Sequence, residues 1–432
     1  MLDIKLIREN PDIVRKDLKK RGDAEKQRLL EELIEKDKKS RAVTTELNEL
    51  RAKRNKLSEE IAALKRAGKD AKTKLKEAGE LPELVKAKEV EQRASEERVK
   101  WLLMRLPNIL HESVPVGKDD SENVEIGKWG KIPKFKFEPK DHIDLGVPLG
   151  LFDLERAAKI SGARFYFLKN DLVTLNFALI AYGLDFIRKR GFTVLEPPFM
   201  ITRKAYEGVT DLADFESVIY KIEGEDLHLI ATSEHPMISM RMDETLLRDE
   251  LPIPAAGISP CFRKEAGAHG KDTKGIFRVH QFDKVEQTVV CAPEDSWKWF
   301  EALAKNSHDF FQSLEIPYRV VNVCTGDIGI IAAKKFDFEG WFAKQGTYRE
   351  LGSCSNVTDY QARRLNIRFR NKEGEAPAGF VHTLNNTLVA CQRTLACILE
   401  LNQREDGSIA VPKVLQKHSG LKEIVAQKAK KK

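Results

Sequence analysis

The chain has 432 residues and a formal charge of +7, from 74 Lys+Arg against 67 Asp+Glu, with 41% hydrophobic and 33% charged residues. This balance excludes a disordered polyelectrolyte, and the length predicts two or three folded domains. The longest uncharged stretch near the middle, between Asp171 and Asp185, holds 13 residues, short of the roughly 20 that cross a bilayer.

The start, MLDIKLIREN, is charged from its third residue and lacks the apolar core of a secretory signal. Six cysteines (Cys261, Cys291, Cys324, Cys354, Cys391 and Cys397) form no C-x-x-C pair. Buried, reduced thiols in a cytoplasmic protein are expected, rather than a disulfide framework or a zinc site.

Residues 1–110 are rich in Lys and Glu and poor in aromatics and proline. Leu29, Leu33, Val43, Leu47, Leu50, Leu57, Ile61 and Leu64 follow a heptad seam with Arg54 at its skipped position. A seam this narrow needs one partner helix. Ala67–Asp70 supplies a turn, and a second helical stretch runs to about Met104 with a poorer stripe of Leu84, Ala87, Ala94 and Leu102. Pro82 interrupts it, so a break there is expected, with Pro82 opening the longer piece. The product is an antiparallel two-helix coiled-coil arm over about 26–104.

Residues 51–78 carry ten Lys/Arg against four acids. Such a rod is either a solvated surface or a footprint for a nucleic-acid backbone. The lack of stacking aromatics favours duplex or shape recognition.

Residues 111–135 read as a linker. From 136 to 432 the pattern is that of a mixed, mainly antiparallel sheet flanked by helices, making the whole chain α+β. Expected strands are Gly191–Pro198, Val218–Gly224, Leu227–Ser233, Gly257–Glu265, Ile276–Val290 and Tyr318–Val323, with helices at Asp171–Arg190 and Pro293–Leu314. AGAHGKDTKG (Ala266–Gly275) reads as a hairpin loop, and the KAKKK end as a short basic tail.

There is no G-x-x-x-x-G-K-[ST] loop, no G-x-G-x-x-G after a strand and no H-E-x-x-H. Strand alternation puts Arg263 with Glu265, and Arg278 with Phe282 and Glu286, on shared faces. One reading is a structural sheet with Arg263–Glu265 and Lys284–Glu286 as cross-strand ion pairs. The other gives each residue work: arginine grips phosphate, phenylalanine stacks on a purine, and a carboxylate holds an ammonium. Glu350 and Ser353, expected near a turn, are hard oxygen ligands suited to Mg²⁺ bound together with phosphates. HTLNNTLVACQR brings Arg393 to a helix N-terminus, which favours anions.

These residues together resemble a family: the seryl-tRNA synthetases of class II, in their ordinary non-zinc form. Gly191–Pro198 resembles motif 1, FRKEAG…FRVHQFDKVEQ motif 2, LNNTLVACQR motif 3, and ATSEHP the T-x-E serine loop. The likeness runs the whole length and implies a class II synthetase core.

It also implies roles. Arg263, Glu350 and Arg393 would be catalytic. Arg263, Lys264, Glu265, Arg278, Val279, Phe282, Glu350, Ser353 and Arg393 would bind ATP, with Glu350 and Ser353 holding Mg²⁺ and no zinc expected. Thr232, Ser233, Glu234, Arg263, Glu286, Asn385 and Thr387 would bind L-serine. Pro198 would sit at a homodimer interface. Arg51, Lys53, Arg54, Lys56, Lys65, Arg66 and Lys69 would meet tRNA(Ser) through its long variable arm, and tRNA(Sec) where present. Two rivals are a ligase charging a carrier protein, whose relatives generally lack the arm, and a catalytically dead tRNA-binding paralogue, which should have lost motif arginines.

Overall fold

The computed structural model describes residues 1–211, 213, 217–265 and 274–426. Most of the expected Ala266–Gly275 loop, and the KAKKK tail, lie outside the described residues. The chain divides into two compact units, Met1–Pro107 and Asn108–Lys432.

The first unit is helical: α1 (Ile4–Glu9), α2 (Pro11–Arg21), α3 (Ala24–Arg66) and α4 (Lys72–Leu103). Each start has a local cause. The Asp3 side chain accepts from Lys5 N–H, Pro11 opens α2, and the Asp23 side chain accepts from Lys26 N–H. Helices α3 and α4 form the expected antiparallel pair, reversed at Gly68 (φ +67°), a backbone conformation suited to glycine.

The seam on α3 buries Leu30, Leu33, Asp37, Ser40, Val43, Leu47, Leu57 and Ile61, so Leu30 replaces the expected Leu29. On α4 the expected stripe fails, because Leu84, Ala87 and Ala94 are exposed and only Leu102 of that set is buried. The seam there runs through Leu81, Val85, Lys88, Gln92, Ser95, Val99 and Leu102, a strict heptad whose middle is polar. Gln92 Nε2 donates to Thr44 Oγ1 at 3.3 Å and Ser95 Oγ to Ser40 Oγ at 3.2 Å. Pro82 does not break the helix, which is continuous from Lys72 to Leu103.

The second unit is built on an eight-stranded sheet: β1 (Val124–Trp129), β2 (Thr193–Leu195), β3 (Ile253–Phe262), β4 (Gln281–Cys291), β5 (Tyr318–Asn322), β6 (Lys334–Phe342), β7 (Thr347–Thr358) and β8 (His382–Ala390). Their order across the sheet is β1-β5-β6-β7-β8-β4-β3-β2, antiparallel throughout except for the β2–β3 pair. The helices introduced here are α5 (Asp171–Arg188), α6 (Glu234–Ser239), α7 (Ser296–Ser313), α8 (Tyr360–Leu365) and α9 (Cys391–Leu401).

One sheet face supplies Val285, Val289, Phe336, Phe338, Leu384 and Cys354 to the main core. There they meet Leu175 and Leu179 of α5, Phe300 and Phe310 of α7, and Leu395 and Ile398 of α9. All six cysteines are buried and free. Among the described residues no helix is long and apolar enough to cross a membrane.

Three expectations fail locally. Val218–Gly224 forms no strand beyond an isolated bridge at Lys221. Arg263–Glu265 lies past the end of β3, and Ile276–His280 precedes β4, so Arg278 is not part of a strand. Glu350 and Ser353 are not beside a turn but inside β7.

Candidate active site

Strand alternation alone would put Glu350 and Ser353 on opposite faces. A bulge corrects this. Glu350 pairs with Glu339 and Gly352 with Phe338, leaving Leu351 as the extra residue. Leu351 enters the core, fully buried, while Glu350 and Ser353 stay on one face. Strand β8 repeats the device, with Thr387 opposite Glu286 and Val389 opposite Val285, so that buried Leu388 is the extra residue. The polar face of the sheet thereby gathers Phe282, Lys284 and Glu286 from β4, Asn385, Thr387 and Ala390 from β8, Glu350 and Ser353 from β7, and Lys335 from β6.

Two cavities open on this face. The first, about 280 Å³, is lined by Arg263, Glu265, Arg278, Val279, Phe282, Glu350, Ser353 and Arg393 among others. The second, about 330 Å³, is lined by Thr232, Glu234, Arg263, Glu286, Asn385 and Thr387 among others. Arg263, Lys284, Ser353 and Thr387 belong to both walls. Two expected residues lie outside the cavities: the backbone N–H of Lys264 donates to Val218 O, and buried Ser233 donates its hydroxyl to Gly257 O at 3.1 Å. Gly257 permits that approach, since a Cβ there would lie 3.1 Å from Ser233 Cβ.

The first cavity is strongly cationic. Arg263 Cζ lies 5.3 Å from the Phe282 ring centroid, and its Nε donates to Ala231 O at 3.3 Å. Arg278 Nε is buried without a hydrogen-bond partner among the described residues and lies 3.6 Å from Glu265 Oε2, too far for a hydrogen bond. An anion would satisfy it. Arg393, in the first turn of α9, reaches Glu350 Oε2 at 3.0 Å. Burial opposes ionisation of Glu350, but Arg393 and Lys335 outweigh it and hold the carboxyl well below its ordinary range. Glu350 and Ser353 form an open pair of hard oxygens, and among the described residues no group of three His, Cys, Asp or Glu makes a closed cage. Such a pair fits a cation held jointly with substrate phosphates.

In the second cavity Glu286, 1% exposed, meets Lys284 Nζ at 2.6 Å and accepts from Thr387 Oγ1 at 3.0 Å. The Lys284–Glu286 pair thus exists, within one strand rather than across two. Arg263–Glu265 is not among the ion pairs of the described residues. Burial, and then the charge of Glu286, push the Glu234 carboxyl up to about 7. Burial, with Lys284 and Arg263, pushes His235 down to about 3 and keeps it neutral.

Several lining residues escaped sequence reasoning. Lys284 had a visible signal, since it lies between Phe282 and Glu286 on the same alternating face. Phe277 and Gln392 in the first cavity and His235 in the second sit inside the quoted motif segments without a role of their own; Lys335 in the first and Thr210, Val218 and Ile219 in the second had no signal and converge only through tertiary packing.

Residues 217–402 match the family model for the tRNA synthetase class II core domain (G, H, P, S and T), and residues 1–110 that for the Seryl-tRNA synthetase N-terminal domain. The serine–tRNA ligase of Methanocella arvoryzae is 53% identical over 416 residues, 96% of this chain and 98% of the relative. The crystal structure of seryl-tRNA synthetase from Pyrococcus horikoshii complexed with ATP superposes with a TM-score of 0.94 at 49% identity, covering 99% of this chain and 100% of that one. The cytoplasmic serine–tRNA ligase of Naegleria fowleri in complex with AMP gives 0.88 at 37% identity, covering 99% of each.

Proposed function

The chain belongs to the seryl-tRNA synthetase family, and we propose that its two adjoining cavities activate L-serine with ATP and pass it to tRNA. The observation that carries this reading is the shared wall: Arg263, Lys284, Ser353 and Thr387 serve both cavities. A nucleotide in one and an amino acid in the other would meet at Arg263.

In the first step a serine carboxylate oxygen attacks the α-phosphorus, the bond to the β-phosphate bridging oxygen breaks, and pyrophosphate leaves. In the second, a ribose hydroxyl at the tRNA 3′ end attacks the acyl carbon and AMP leaves. Neither step needs a covalent enzyme intermediate, so the protein's part is alignment and charge stabilisation.

Arg263 faces the α-phosphate and serine carboxylate, Phe282 the adenine, and Arg278 and Arg393 the outer phosphates; Glu265 and Val279 complete the nucleotide wall. Glu286, with Thr232, Glu234, Asn385 and Thr387, takes the serine. Glu350 and Ser353 would hold Mg²⁺, which when bound neutralises phosphate charge. A polar pocket of this kind rejects analogues lacking the hydroxyl far more strongly than a greasy one rejects an extra methyl.

The arm would carry the tRNA, tRNA(Ser) with its long variable arm and tRNA(Sec) where present, and the exposed loop at Pro198 would join a homodimer; no zinc is invoked, and a cytoplasmic setting suits these substrates. The test is serine-dependent ATP–pyrophosphate exchange, together with deletion of residues 40–95. Exchange should persist and tRNA charging be lost. Exchange driven as fast by alanine or threonine would refute the serine reading, and charging unaffected by the deletion would refute the role of the arm.

A further inference from the structure

Helix α8 carries a buried glutamine that the chemistry above leaves unused. Gln361 is 1% exposed. Its amide nitrogen donates to the Val209 carbonyl at 3.2 Å and to Glu234 Oε1 at 2.8 Å, and its amide oxygen accepts from Thr383 Oγ1 at 2.7 Å. A backbone carbonyl can only accept, so Val209 decides which end of the amide is nitrogen. Both N–H groups are then committed, and the Thr383 hydroxyl, itself fully buried, fixes the other end.

The consequence falls on Glu234. Its Oε1 is occupied by Gln361, which leaves the other carboxylate oxygen for a molecule in the second cavity. Neither Gln361 nor Thr383 lines that cavity. The same helix also steadies the neighbouring wall: Arg364 Nη1 donates to the carbonyls of Thr210 at 2.6 Å and Glu207 at 3.2 Å, and Thr210 lines the cavity. A carboxylate buried beside Glu286 would otherwise rotate or recruit water, because an unpaired buried acceptor is costly.

Resting on the reading of this cavity as the serine pocket, we propose that Gln361, oriented by Thr383, is a positioning residue for amino-acid binding. It holds the Glu234 carboxylate so that one oxygen is presented to the polar groups of a small hydroxylated amino acid. Gln361 touches no substrate itself and acts through Glu234.

Gln361→Leu removes the donor, and Thr383→Val removes the hydroxyl that orients it while keeping the shape. Both are read by ATP–pyrophosphate exchange on the full-length enzyme, with KM for serine and for ATP measured separately. Gln361→Leu should raise the serine KM about 10-fold, with a smaller rise in Thr383→Val and an unchanged ATP KM in both. Serine KM unchanged in the folded variants would overturn the proposal, and so would serine and ATP KM rising together, which marks a general scaffold. Should Gln361→Leu fail to fold, Thr383→Val decides by the same two constants. A wild-type enzyme without serine-dependent exchange would bring down the functional reading instead.

Discussion

Glu234 and Glu286 line one small cavity in different surroundings. Glu286 is paired with Lys284 at 2.6 Å, whereas Glu234 is desolvated and pushed up from its ordinary 4.5 to about 7. Between those two values the folded protein binds a proton that the unfolded chain has released. The contribution of Glu234 to stability is therefore full below about pH 4.5 and lost as pH rises through 7. Binding runs the other way, because an ionised Glu234 favours an ammonium or hydroxyl donor. KM for serine should fall as pH rises from 6 to 8, and Glu234→Gln should flatten that limb; a profile identical in the two enzymes would refute the assignment. Of these residues Glu234, Glu286, Arg263 and Phe282 were legible in the sequence, because their types and spacing match a recognisable motif. Gln361 and Thr383 were not, since their meaning lies in whom they touch.

The elements show where periodicity can and cannot be read. Helix α3 announced its seam because Leu33, Val43, Leu47 and Ile61 are apolar; helix α4 hid the same heptad behind Lys88, Gln92 and Ser95. Gln92 and Ser95 pair with Thr44 and Ser40, and Lys88 with Glu46, across the seam, so a hydrophobic stripe drawn through α4 selects the wrong face. At the base of the seam, Asp37 is buried, yet Arg8 and Arg41 bond its carboxylate and hold its pKa low. Leu33, fully buried beside it, tests the packing: Leu33→Ala should cost about 2–5 kcal/mol. Amide hydrogen exchange should then quicken along the adjoining stretch of α3 and α4, while serine-dependent pyrophosphate exchange stays as it was. Unchanged protection would show that the seam does not hold the arm. In the sheet, the bulges at Leu351 and Leu388 were equally hidden. An alternating pattern cannot show an inserted residue, yet that residue decides whether Ser353 faces the cavities or the core.

For the whole molecule, charge along the chain matters more than the net value. On the arm, Arg51 is paired with Glu89 and Lys53 with Glu77. Arg54, Lys56, Lys65, Arg66 and Lys69 are exposed and join no ion pair among the described residues. Replacing these five by Gln should raise KM for tRNA steeply and flatten its salt dependence, with pyrophosphate exchange untouched; equal charging by the variant would refute the footprint. By itself the sequence determined the two-helix arm, the α+β core and the residue types of the polar sheet face, because each is a local pattern of period and chemistry. Only the tertiary structure decided the seam of α4, the continuity of that helix through Pro82, the two bulges and the company of Lys335, Lys284 and Gln361. Those outcomes depend on which strand or helix lies opposite, and pairing across the fold leaves no periodic trace in a single segment.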